Sequence, residues 1–149
     1  MNRTRPLKRL SRTRAGFTVI ELLAVLAIAG ILIAAGTPSY LRWVALNDTL
    51  SAATTLSQEV ARVRTQVKRS DTTITLQVSN GGHTITSDRT LDLPLTTVSG
   101  TLNLTFVPPY GTLATGTTTP QSVTITSTRN ASVTRQVSVV SLFGKVTVK

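Results

Sequence analysis

Residues 17–36 read FTVIELLAVLAIAGILIAAG, a run whose only charge is Glu21. As an α-helix at about 1.5 Å per residue it is about 30 Å long, the thickness of a bilayer core. Six basic residues (Arg3, Arg5, Lys8, Arg9, Arg12 and Arg14) and no acid precede it. That asymmetry keeps the N-terminus cytoplasmic and sends the following residues across. A cleaved secretory signal is the alternative. It has an apolar core of about 7–15 residues and a small-residue cut site, and Ala34-Ala35-Gly36 offers one. The length of the run, the carboxylate inside it and Pro38 just beyond it argue the other way. A carboxylate within lipid is costly unless it is paired or lies near the interface. Glu21 therefore either reaches the headgroups or meets a cation: an α-amino group freed at Phe17, or an amine of a neighbouring copy.

Outward from this segment, the charge arithmetic changes meaning. The chain has 149 residues, 16 basic and 6 acidic side chains, and a net charge of +10. With the six cations of residues 1–16 set aside, 10 basic and 6 acidic remain, a net of only +4. Basicity alone thus makes a weak case for nucleic-acid binding. Beyond the apolar run about 110 residues remain, enough for one small domain. There is no cysteine, hence no disulfide framework or thiolate metal site. Aromatic residues make up 4% of the chain, low for a surface on which bases stack.

The single histidine, His83, follows Gly81-Gly82 and reads as a surface turn residue rather than a general base. Asp88 and Asp92 lack a third carboxylate nearby and read as scattered surface acids. No phosphate loop, zinc spacing or calcium-loop pattern is present. These features predict neither catalytic residues, nor a metal site, nor a cofactor.

The helix is expected to continue past Pro38, which removes one backbone donor and predicts a kink rather than an end. Leu46, Leu50, Ala53, Val60, Val63 and Val67 recur at three- and four-residue steps with one longer gap, and Leu56 lies beside them. That pattern is one apolar stripe on a helix reaching about residue 69. Arg62, Arg64, Lys68 and Arg69 crowd its last turns, suited to the helix dipole and a solvated face.

From residue 71 Thr is abundant and β-branched residues alternate with polar ones. Ile74, Leu76 and Val78 mark a strand, Asn80-Gly81-Gly82 a hairpin turn, and residues 83–87 its return. Residues 90–95 read as a weaker strand ended by Pro94. Leu102, Leu104 and Phe106 alternate in the next, which Pro108-Pro109-Tyr110-Gly111 stops. Residues 112–120 read as an exposed loop without a core contribution. Val123 with Ile125, Val137 with Val139, and Val146 with Val148 mark three more strands, with a turn at 129–132. The expectation is α+β: a long N-terminal helix packed on a small antiparallel sheet domain of six or seven strands. The boundaries are a basic leader over 1–16, a transmembrane helix over 17–36, an amphipathic continuation over 37–70 and the β domain over 71–149.

Gly16-Phe17-Thr18-Val19-Ile20-Glu21-Leu22-Leu23, behind a basic leader, resembles the processing motif of type IV pilins and type II secretion pseudopilins. The resemblance implies that a prepilin peptidase cuts after Gly16 and N-methylates Phe17. It implies that Glu21 pairs with a Phe17 amine during filament assembly, and that Gly30 and Pro38 loosen the helix. Phe106, Pro108 and Gly111 before a Thr-rich loop, and Val140, Ser141, Gly144, Lys145 and Val146 near the end, resemble the GspH/FimT group of minor pilins and pseudopilins. The implied fold is pilin-like. The implied partners are the peptidase, other pilins or pseudopilins in a filament, the inner-membrane assembly platform and the cytoplasmic membrane. The implied location is the inner membrane, then a periplasmic or cell-surface filament.

The alternative function is DNA binding, which some pilus members of that group perform with arginines in the C-terminal tail. Arg129, Arg135, Lys145 and Lys149 belong to the C-terminal hairpins and could form one face, joined by Arg62, Arg64, Lys68 and Arg69 if the helix end lies near. Such contacts would be to phosphates, tolerant of sequence and sensitive to salt. Scattered charges serving solubility are the competing reading.

Overall fold

The structure is a computed structural model and describes residues 16–149 except 116 and 118. The basic leader, residues 1–15, lies outside the described residues. The described residues divide into two units at the step from Thr37 to Pro38.

One helix, α1, runs Val19–Ser70. It begins at Thr18, whose Oγ1 accepts the Glu21 N–H at 3.3 Å, the bond of an N-cap. It ends where Asp71 takes a left-handed φ of 52° and its N–H bonds the Val67 carbonyl at 3.1 Å. Lys68 and Arg69 in the last turn complement the dipole. Beyond Pro38 the helix is rich in hydroxyls, and Thr54, Thr55, Ser57, Thr65 and Ser70 each donate to the carbonyl four residues back. A Thr-rich sequence therefore stays helical without leaving its hydroxyls unpaired.

Among the described residues nine strands follow, all paired antiparallel. They are β1 Ile74–Val78, β2 Thr84–Thr86, β3 Thr90–Asp92, β4 Thr96–Ser99, β5 Leu102–Val107, β6 Thr112–Leu113, β7 Gln121–Ser127, β8 Thr134–Val139 and β9 Val146–Val148. They form two sheets, one ordered β3-β2-β1-β5-β6 and the other β4-β7-β8-β9. The chain passes from the first sheet to the second through Leu93-Pro94-Leu95, where Leu95 holds a φ of 61°. The sheets are stitched together where the Gly81 N–H bonds the Val98 carbonyl and the Val98 N–H bonds the Gly82 carbonyl. Gln121 adds a second stitch, bonding both the N–H and the carbonyl of Asn103.

Both sheets supply one core with the outer part of α1. Leu76, Val78, Ile85, Leu102, Leu104, Phe106 and Leu113 come from the first sheet. Val98, Val123, Ile125, Val137 and Val139 come from the second, and Ala52, Ala53, Leu56, Val60, Val63 and Val67 from the helix.

Two expectations need correction, and one strand went unread. Leu46 and Leu50 are not on the buried stripe, being 40% and 46% exposed. The buried face runs instead through Ala45, Thr49, Ala52, Ala53 and Leu56, and Leu56 fills the gap before Val60. Small residues let the helix approach there, so the larger leucines mark the wrong face. Residues 112–120 are not wholly a loop: Thr112–Leu113 pairs with β5 and Leu113 is buried. Finally, β4 carries only one large apolar residue, Val98. Its other inward position is Thr96, buried because its Oγ1 bonds the Leu93 carbonyl at 3.1 Å. A strand with a satisfied hydroxyl in place of a second hydrophobe leaves no alternation to read.

Candidate assembly segment and basic surface

The apolar segment carries the first group of candidate residues. Every described residue from Gly16 to Thr37 is exposed except the half-buried Ala29. Glu21 lies in the first turn of α1, three residues after the capping Thr18. Thr18-x-x-Glu21 is the spacing of a capping box, and a carboxylate there also faces the positive end of the helix dipole. Glu21 thus has a local electrostatic role beside any pairing with an amine, and that spacing was available in the sequence. Gly30 has open space where a Cβ would stand. Pro38 lies within α1 and is the first residue of the second unit. One residue earlier, at the end of the first unit, Thr37 donates its hydroxyl to the Ile33 carbonyl at 2.7 Å.

The four C-terminal cations occupy different settings. Arg129, in the β7–β8 turn, is paired with Asp48 of α1 at 3.1 Å. Arg135 is half-buried and sits across from the core residue Ile125, its Nε buried without a hydrogen-bond partner. Lys145 is exposed in the loop between β8 and β9, at the end of β8 opposite the turn that holds Arg129. Lys149 is exposed, and its backbone exchanges two bonds with Gln136.

A different cationic surface forms around α1 and the loop over residues 140–145. Arg64 lies over the Phe143 ring at 5.6 Å from its centroid. A Cβ on Gly111 would stand 2.7 Å from the Arg64 carbonyl oxygen and 3.3 Å from Lys68 Cε. At Gly144 it would stand 2.9 Å from the Phe106 ring. Both glycines hold positive φ, 60° and 67°. They are needed for close approach as well as for backbone conformation. Phe143, Leu142 and Tyr110 remain exposed beside these cations.

Sequence reasoning missed one cluster. Glu59, only 1% exposed, accepts bonds from Arg62 at 2.6 Å and Arg89 at 2.7 Å, and from Ser87 at 2.9 Å. Arg62 also bonds Asp88 and Gln66. Burial pushes the Glu59 carboxyl up, but the bonds from Arg62, Arg89 and Ser87 outweigh it and hold the group at about 2. Asp88 is held well below the usual carboxylate range by its bonds to Arg62, Gln66 and Ser87, against a smaller upward push from burial. The network ties the β2–β3 turn to the helix. Arg62 is thereby a structural ion-pair partner rather than a free surface cation. His83 is an exposed residue 3.9 Å from Asp92, as its place after a turn suggests.

A family model described as the prokaryotic N-terminal methylation motif matches residues 11–37. Two crystal structures of the type IV minor pilin FimU from Pseudomonas aeruginosa strain PAO1 are similar in fold to part of the chain. One is 20% identical with a TM-score of 0.52, over 67% of this chain and 91% of that one. The other is 19% identical with a TM-score of 0.53, over 69% and 89%. The fold is that of a pilin. No curated protein matches the chain. In this pilin fold Gly111 and Gly144 press against the helix and Phe106, so the glycines that suggested the GspH/FimT group are packing positions.

Proposed function

We propose that the chain is a minor pilin or pseudopilin, a structural subunit of a type IV pilus or type II secretion pseudopilus. Residues 1–16 are its leader, 17–36 its membrane and filament helix, 37–70 the amphipathic continuation and 71–149 the β domain. The observation that carries this reading is the methylation motif over residues 11–37 in front of a pilin fold. Prepilin peptidase cuts after Gly16 and methylates Phe17. The helix holds the subunit in the cytoplasmic membrane until the assembly platform passes it into the filament. There Ala27, Ala29, Gly30, Ala34 and Ala35 allow helices to approach closely. Glu21, a lone carboxylate among apolar residues, sets the register because any other packing leaves it unpaired. Gly30 and Pro38 loosen the helix for that transfer.

The test is the N-terminal sequence and intact mass of the protein extracted from membranes of a host with prepilin peptidase. The expected chain begins at Phe17 and is heavier by one methyl group in place of a hydrogen. A chain beginning at Thr37, or an uncut chain, would sink the proposal.

A second reading, DNA capture, draws support from the surface where Arg64 and Lys68 stand beside exposed Phe143 and Tyr110. Cations beside aromatic faces suit a nucleic-acid strand. On this reading Lys68→Ala and Lys145→Ala each weaken binding for all sequences alike, and each lowers the salt slope by about 0.9 for every phosphate left without its cation. Filter binding that shows no retention even at low salt would refute it.

A further inference from the structure

Just past the apolar run, the exposed side of α1 changes chemistry. Tyr40 and Trp43 are 63% and 60% exposed, and their rings stack with centroids 6.2 Å apart. Leu41 is exposed next to Tyr40, and Arg42 lies between the two aromatics. The sequence contains one tryptophan and two tyrosines, so this turn holds two of its three amphipathic aromatic side chains. No acid occurs between Glu21 and Asp48, and Asp48 is occupied by Arg129. The domain core begins only at Ala45.

Tyr40 and Trp43 follow Gly36 by four and seven residues, about 6 and 10 Å of helical rise. If 17–36 fill the hydrocarbon core, these residues stand in the headgroup layer. That is where rings with an apolar body and a polar edge are enriched, and where an arginine meets phosphate. We propose that Tyr40, Arg42 and Trp43 form an interfacial anchor that binds the phospholipid headgroups of the outer leaflet of the cytoplasmic membrane. The anchor fixes the depth of the span and holds the folded unit at the bilayer surface until assembly. The inference rests on the membrane-anchored reading given under Proposed function.

Because Trp43 is the sole tryptophan, the full-length protein reports on its own anchor. It would be reconstituted in vesicles of phosphatidylethanolamine and phosphatidylglycerol carrying spin labels at the headgroup, the upper acyl chain or the acyl terminus. Trp43 emission is expected to be quenched most by the headgroup and upper-chain labels, and least by the terminal label. Moving the reporter with Trp43→Phe and Tyr40→Trp should shift the strongest quenching one turn deeper. Emission quenched by aqueous iodide and by no lipid label would overturn the anchor, as would strongest quenching by the terminal label. Protein that fails to float with the vesicles would overturn the membrane-anchored reading as well, so the two failures are distinguishable.

Discussion

Glu59 is a carboxylate removed from water yet kept ionised by two guanidinium groups. Its pKa lies at about 2 against an ordinary 4.5. A carboxyl depressed in this way contributes stability above its unfolded pKa, and the contribution disappears as pH falls through the folded value. The difference corresponds to on the order of 3 kcal/mol. Asp88, shifted in the same direction, loses its contribution on the same acid side. Unfolding free energy should therefore be level near neutrality and fall from about pH 4.5 to about pH 2. Glu59→Gln keeps the shape but leaves Arg62 and Arg89 without their carboxylate, and should cost about 3–5 kcal/mol at pH 7. It should also flatten the acid limb. Urea titrations of the detergent-solubilised protein at several pH values would check both, and equal stability of variant and parent at pH 7 would refute the assignment. Nothing local announced this site. Glu59 and Arg62 read as an ordinary pair on a helix surface, and the partner that buries the carboxylate, Arg89, is thirty residues away.

The outer part of α1 shows which elements a sequence can reveal. Its helical period was legible, but its buried face was misplaced by one row because Ala45, Thr49 and Ala52 carry the contact near its start. Size is a poor guide where close approach is the requirement. Leu56→Ala should cost about 2–5 kcal/mol, since the side chain is fully buried in the core. Leu50→Ala should stay within about 0.5 kcal/mol. Denaturant midpoints of the two variants would decide between the rows, and a large loss at Leu50 would restore the first reading. Among the strands, β1 and β5 were legible because three apolar residues alternate over five positions, and β7 and β8 because a β-branched pair alternates over three. The strands β4 and β6 were not. One hides a hydroxyl in the core, and the other is two residues long and lies next to the glycine that abuts the Arg64 carbonyl. The division of the strands between two sheets was equally invisible, since the junction rests on the Gly81-Gly82 backbone and on the Gln121 side chain bonded to the Asn103 backbone.

At the scale of the whole molecule, the chain separates an address from a body. The motif of residues 11–37 and the net charge of the leader belong to one end. No core residue among those described precedes Ala45. That is why Gly16 and Phe17, proposed for processing, and Glu21, proposed for assembly, were candidates from sequence alone, while the candidate DNA surface was not. The former lie within six consecutive residues, whereas the latter needs Arg64, Lys68, Tyr110 and Phe143 brought together by folding. The loop over residues 140–145 adds a constraint of timing. It covers the Phe106 ring with Gly144 and accepts the Leu113 N–H at the Leu142 carbonyl. A chain that crosses the membrane from its N-terminal side delivers Phe106 more than thirty residues before its cover arrives. Until then the ring and the open side of β8 face solvent, where such surface invites association with other chains. A translocating subunit would stay incomplete until its last hairpin emerges, and any chaperone or protease stationed at the exit would have that whole interval in which to act.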